Sequence, residues 1–268
     1  MNAYRVGEED LRKYHEDGFF IVRSLFDAEE MELLRNAVAI DKDLAEAAYE
    51  VSDNQGARAK IAIWQGTGDD LYGLVARCRR VVDTMEALLG GEVYHWHSKM
   101  TIKEPYTGGA WEWHQDYGYW YTYACLYPYL ATCMIAVDRA TKANGCLQVL
   151  KGSHHMGRID HGVQTQLGAD PERVEIATKR LETEYCELES GDGLFFHCNL
   201  FHCSGQNKSS EPRRAFLCCY NAARNSPYKI IRHPQYTPLV KVPDSAIKEA
   251  GLRIARQEFS KTSHYQLR

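Results

Sequence analysis

Trp113-His114-Gln115-Asp116, set inside the aromatic run from Trp111 to Tyr129, is the stretch on which the reading of the fold turns. On an extended backbone the side-chain period of two puts His114 and Asp116 on one face and Gln115 on the other. An imidazole and a carboxylate converging in this way are two members of the 2-His-1-carboxylate triad, which holds Fe(II) and leaves the opposite positions open. His-x-Asp alone is a weak signal. A downstream cluster, His202-Cys203-Ser204-Gly205-Gln206-Asn207 followed by Pro212-Arg213, strengthens it by offering a second histidine and an anion-binding arginine. Most of the eleven histidines are better read as hydrogen-bonded pocket residues. His197 competes with His202, but only His202 is followed by a small, polar turn, and His95 and His97 read as pocket lining or core.

Flanking segments supply a barrel for these residues to converge in. Glu8 to Asp17 has helical spacing and stops at Gly18, Phe19 to Val22 is a short buried strand, and Asp27 can cap a second helix with Met31, Leu34 and Val38 on its face. Val51 to Asp70 reads as loop around one strand, Lys60 to Trp64, and Leu71 to Leu89 as one amphipathic helix ending at Gly90-Gly91. The period then changes. Strands are predicted over Val93–Lys103, Trp111–Asp116, Leu130–Asp138, Cys146–Leu150, Tyr185–Leu188, Leu194–His197 and Arg214–Tyr220, with Asn144-Gly145 a tight turn. Residues 157–181, polar and weakly patterned, read as a lid or binding loop. Helices followed by short strands indicate an α+β fold, a double-sheet barrel or jelly roll backed by N-terminal helices.

The 268 residues suit one domain, with a helical part over about 1–91, a barrel over about 92–225 and a C-terminal extension over 226–268. A hydrophobic fraction of 44% and a charged fraction of 25% are those of a globular protein. A net charge of −4 without charge blocks argues against nucleic acid, so the expected partner is a small-molecule substrate. No secretory leader or membrane span is read, which places the expected location in the cytoplasm. Nine cysteines, mostly in apolar segments and with no Cys-x-x-Cys pair, read as buried reduced thiols rather than a zinc site.

The chain resembles the phytanoyl-CoA dioxygenase family of Fe(II)/2-oxoglutarate oxygenases, in its branch of ectoine hydroxylases and other small-metabolite hydroxylases. The resemblance runs from Leu11-x-x-Tyr14-x-x-x-Gly18-Phe19 through His114-Gln115-Asp116 and Asn144-Gly145-Cys146-Leu147-x-Val149-x-x-Gly152-Ser153-His154. It closes with Gly191-Asp192, His202-x-Ser204-Gly205-x-Asn207 and Arg213-Arg214-Ala215. It implies a double-stranded β-helix of the cupin type, with Fe(II) on His114, Asp116 and His202, and with 2-oxoglutarate and O2 as co-substrates. Arg213 is implied to pair with the 2-oxoglutarate 5-carboxylate, since a guanidinium offers a bidentate, permanent charge. Thr101, Thr132 and Ser204 are implied as further cofactor contacts. Arg214, on the opposite face of a strand, reads as a surface charge. Relatives that halogenate lack the carboxylate ligand, so Asp116 favours hydroxylation.

Substrate contacts are expected from Lys99 and Lys103, which share a face with Thr101, and from Trp120, Tyr117 and Arg158. Aromatic rings for a cation together with basic groups for an anion would suit a small zwitterion. A small organophosphonate such as 2-aminoethylphosphonate is the specific expectation, with ectoine-like compounds or amino acids next. The rival readings use the same three ligands in a metal hydrolase or isomerase, or in a ligand sensor, and neither would need Arg213.

Overall fold

Three acidic residues open the first helix, α1 (Glu8–Asp17), and Gly18, at φ +89°, ends it in the left-handed region open to glycine. The computed structural model describes residues 4–162 and 166–254. After α1 come β1 (Phe19–Val22) and α2 (Ala28–Ile40), which starts at a reciprocal cap: Asp27 accepts from the Glu30 N–H and the Glu30 carboxylate accepts from the Asp27 N–H. Next are α3 (Lys42–Ala47), β2 (Tyr49–Ser52) and β3 (Arg58–Trp64). Only one strand was expected here; β2 escapes a periodicity reading because it is short and mostly exposed on both faces.

The helix expected over 71–89 is two, α4 (Leu71–Arg77) and α5 (Arg79–Leu89). Cys78 between them is extended, at φ −65° and ψ 145°, and bridges Val242, which donates to the Arg77 carbonyl and accepts from the Arg79 N–H. Pairing with a segment more than 150 residues away overrides the local helical period.

The barrel follows as β4 (Val93–Lys103), β5 (Trp111–His114), α6 (Asp116–Trp120), β6 (Leu130–Ala136) and β7 (Leu147–Leu150). After these come α7 (Pro171–Arg180), β8 (Thr183–Cys186), β9 (Gly193–His197), β10 (His202–Ser204) and β11 (Arg213–Ala222). α7 lies inside the stretch read as loop. Its start signals are present, with Asp170 accepting from the Arg173 N–H and Pro171 in the first turn, but only Ala177 is buried, so it has almost no apolar face to detect.

A seven-stranded sheet in the order β1-β9-β6-β11-β4-β3-β2 faces a four-stranded sheet, β5-β10-β7-β8; all pairings are antiparallel. This is the double-stranded β-helix, in an α+β chain. β6 is buried along its whole length because both its faces are covered. Cys133 and Ile135 pack with Phe195, Phe216 and the helices, while Met134 and Ala136 join Leu194, Phe196 and Leu217 between the sheets. The first 91 residues do more than back the barrel, since β1, β2 and β3 are strands of the larger sheet. Beyond β11 the chain returns across the fold, and in the helical stretch 245–254 Ile247 and Ala250 are buried in the helix-facing core. Residues 163–165 of the expected binding loop and 255–268 of the C-terminal extension lie outside the described residues.

All nine cysteines are free and buried. No helix among the described residues is long and apolar enough to cross a membrane.

Candidate metal centre

β5 and β10 are neighbours in the smaller sheet, with His114 opposite His202 and their ring centroids 4.1 Å apart. The strand expected to run through Asp116 stops at His114. Gln115 is still extended, at φ −116° and ψ 135°, and α6 begins at Asp116. The period of two therefore holds for the one step that matters. One ligand atom from each of His114, Asp116 and His202 lies within 4.8 Å of the others, a grouping able to hold a metal ion.

Both imidazoles are set by the backbone two residues before them. Nδ1 of His114 donates to the Glu112 carbonyl at 2.7 Å, and Nδ1 of His202 to the Leu200 carbonyl at 2.9 Å. A carbonyl only accepts, so Nδ1 carries the proton and Nε2 is left with the lone pair. Burial holds both rings below the usual histidine range, helped at His114 by the facing His202. Asp116 is 2% exposed. Burial pushes its carboxyl up, but the Lys99 ammonium outweighs this and keeps it ionised. Lys99 Nζ donates to Oδ1 at 3.0 Å and Thr132 Oγ1 to Oδ2 at 3.2 Å. Two neutral imidazoles and one ionised carboxylate are the donor set of an Fe(II) site.

Gln115, pointing away from the ligands, is fully buried and uses its whole amide. Nε2 donates to the Gly157 and Asn199 carbonyls at 2.8 and 2.7 Å, and Oε1 accepts from the Ile159 N–H at 2.7 Å. These bonds tie the His114–Asp116 step to the loop after β7 and to the turn that leads into His202.

Arg213, at the start of β11, is buried with a guanidinium that meets no carboxylate among the described residues. It donates to Thr101 Oγ1 and the Gly145 carbonyl, both at 3.1 Å, and to Ser204 Oγ at 3.4 Å, while Nε has no partner. Burial lowers its pKa to about 10. Gly145 must stay glycine for this arrangement, because it has φ +80° and a Cβ there would meet the Gly205 carbonyl at 2.3 Å. Arg214, next in the strand, turns outward and forms a two-point ion pair with Asp138 at 2.7 and 2.8 Å.

A cavity of about 480 Å³ joins these parts. His114, Asp116, His202, Arg213, Thr101 and Ser204 line it, as do Lys99 and Trp120. Four residues expected at the site sit elsewhere. Thr132 gives its hydroxyl to Asp116 rather than to the cavity, and Lys103 is buried in the barrel wall with its ammonium on the Ser204 and Gly205 carbonyls. Tyr117 is a core residue whose hydroxyl donates to the Leu126 carbonyl at 2.8 Å, and Arg158 pairs with Asp160 at 2.8 Å over the Tyr121 ring. Side-chain alternation located the face of Lys103 correctly. What it could not give was the depth at which the long side chain finds acceptors.

Sequence reasoning missed the far end of the cavity. Tyr49, Ile61, Ile63 and Gln65 come from β2, β3 and the residue after, Tyr123 from the exit of α6, and Arg232 and His233 from the C-terminal segment; Tyr119, on α6, lines the metal end, its ring centroid 5.8 Å from that of His114. His233 stacks on Trp96, with centroids 4.7 Å apart, and lies 5.6 Å from His97. Only the repeated aromatics after His114 signalled this end in the sequence.

Comparison with known proteins agrees with this geometry. The family profile of phytanoyl-CoA dioxygenase matches residues 14–215. L-proline trans-4-hydroxylase of Streptomyces griseoviridis is 30% identical over 196 residues, 65% of this chain and 73% of that protein. Ectoine dioxygenase of Bordetella parapertussis is 26% identical over 84% of this chain and 78% of that protein. The crystal structure of EctD from S. alaskensis with 2-oxoglutarate and 5-hydroxyectoine superposes with a TM-score of 0.73 at 21% identity, covering 91% of this chain and 89% of that one.

Proposed function

The chain belongs to the phytanoyl-CoA dioxygenase family of Fe(II)/2-oxoglutarate-dependent dioxygenases, and from that premise we propose that it hydroxylates a small carboxylate-bearing metabolite of the size of proline or ectoine. Arg213 carries this reading: a buried guanidinium without an acid partner among the described residues, sharing one cavity with the His114, Asp116 and His202 ligand atoms.

His114, Asp116 and His202 would hold the iron, and Arg213, flanked by Thr101 and Ser204, would take the 5-carboxylate of 2-oxoglutarate. When bound, iron with 2-oxoglutarate and O2 supplies the oxidising power. The protein contributes placement and exclusion of water. The Nδ1–H bonds of both histidines fix the direction of their lone pairs, Thr132 and Lys99 hold the Asp116 carboxylate, and Gln115 locks the segments that bear all three.

Proline and ectoine, named for the relatives, support a compact polar substrate, and a cavity of about 480 Å³ shared with 2-oxoglutarate is of matching scale. The phosphonate expectation finds no support among these relatives. Hydrolase, isomerase or sensor readings leave Arg213 without a role. The test is anaerobic titration of iron-loaded protein with 2-oxoglutarate. A visible charge-transfer band that disappears in Asp116→Ala is the expected result, followed by succinate release in a screen of small carboxylates. Absence of the band in fully iron-loaded protein overturns the reading.

A further inference from the structure

Charge inside the cavity is one-sided. Among the described residues that line it, Lys99, Arg213 and Arg232 are cations and Asp116 is the sole acid. Asp116 already accepts from Lys99, whose side chain is 14% exposed, and it is one of the three metal-ligand candidates. Arg213 is matched by the 5-carboxylate of 2-oxoglutarate in the reading above, on which this inference rests. A dication on the triad and the dianion 2-oxoglutarate would cancel, so Lys99, Arg213 and Arg232 outnumber Asp116, and Lys99, which gives one N–H to Asp116, keeps two for another anion. Arg232 at the cavity edge has Tyr123, not an acid, against it.

The aromatic faces tell the same story. A substrate ammonium without a carboxylate partner would need a ring face to offset the loss of water. Trp120 already has Lys99 Nζ 5.5 Å from its ring centroid, and Tyr123 has the Arg232 guanidinium at 4.9 Å. The protein's own cations thus occupy two of the ring faces in the cavity, those of Trp120 and Tyr123, where a zwitterion could otherwise place its nitrogen. His97 cannot serve as a countercharge to an ammonium, because an imidazole is either neutral or cationic.

We infer that the substrate is a net anion, a small carboxylate whose acid group is received by Lys99 and which carries no free ammonium. The recognised group is the carboxylate. Nitrogen, if the substrate has any, is uncharged.

Matched pairs of one shape and different charge test this: cyclopentanecarboxylate against L-proline, and cyclohexanecarboxylate against L-pipecolate. Their binding is measured calorimetrically, without oxygen, on Zn(II)-loaded protein saturated with 2-oxoglutarate. The carbocyclic anion is expected to bind about tenfold or more tightly than its amino-acid partner, with Lys99→Met reducing the ratio to within about threefold and Lys99→Arg keeping most of it. Equal or tighter binding of the amino acids overturns the inference. So does failure of every anion to bind, or a preference that survives Lys99→Met. The wild-type pairs decide the matter even if Lys99→Met folds poorly. Failure of the family-level reading is recognised separately, by the missing iron–2-oxoglutarate band in the absence of any probe.

Discussion

The two ends of the cavity are built on opposite terms. At the metal end nearly every polar group is spoken for: both Nδ1 atoms, both Asp116 oxygens and all three bonds of the Gln115 amide have partners. At the far end His97 has neither ring nitrogen paired, His233 has Nε2 unpaired, and the strap bearing Arg232 and His233 is stacked on aromatic faces rather than hydrogen-bonded into a strand. A satisfied, buried network fixes one geometry, which suits chemistry common to a family. The looser far end is assembled from segments with no shared motif.

That contrast can be broken most directly at Asp116. Asp116→Ala should remove the charge-transfer band and lower turnover by about a thousandfold or more, while far-UV circular dichroism stays unchanged. Comparable loss from any single change at the far end would show that the two ends are not separable.

The next effect belongs to Arg213. Arg213→Ala should weaken 2-oxoglutarate binding by about a hundredfold, since a fully desolvated charge pair is lost. Arg214→Ala should leave that affinity within about twofold, because its ion pair with Asp138 faces outward. Lysine at position 213 should recover only part of the loss, for want of a second parallel N–H.

Gln115→Ala sharpens the comparison without touching a ligand. Losing three buried hydrogen bonds should cost about 2–3 kcal/mol in a thermal melt and weaken metal binding by about tenfold. Metal affinity that stays at the wild-type value would mean the clamp is structural only.

The smallest effect should come from pH at the far end. Burial lowers the His233 pKa from 6.5 to about 4. The unfolded chain therefore binds a proton that the folded chain refuses, so the stability contributed by the neutral ring is full above about pH 6.5 and is lost as pH falls toward about 4. A melting temperature that drops between pH 7 and pH 5, and drops less in His233→Phe, is expected. Equal slopes in the two proteins would remove His233 from the account.

How legible each end was follows from the same physics. His-x-Asp, the distal histidine with its small polar turn, and the arginine beyond it are read directly, because a two-residue period and a few strand ends suffice to bring them together. The aromatic run after His114 announced a pocket but not its membership, and of its rings Trp120 faces the cavity while Tyr117 is core. A strand is read over Trp111–Asp116; that it stops at His114 and that Asp116 starts a helix was hidden, since one extended residue at Gln115 serves either continuation.

Local pattern together with the family resemblance thus pointed to the α+β barrel, the three ligand candidates and an arginine beyond the distal histidine, from short motifs and strand alternation. Tertiary structure alone decided that Thr132 serves Asp116, that Lys103 is spent on backbone carbonyls, that Arg213 and not Arg214 faces inward, and that β2 and the residues around His233 close the far end. Each of these is settled by which partner a side chain meets across a long sequence separation. Such meetings are fixed by packing and by the need to satisfy buried charge, and neither leaves a periodic trace in the chain.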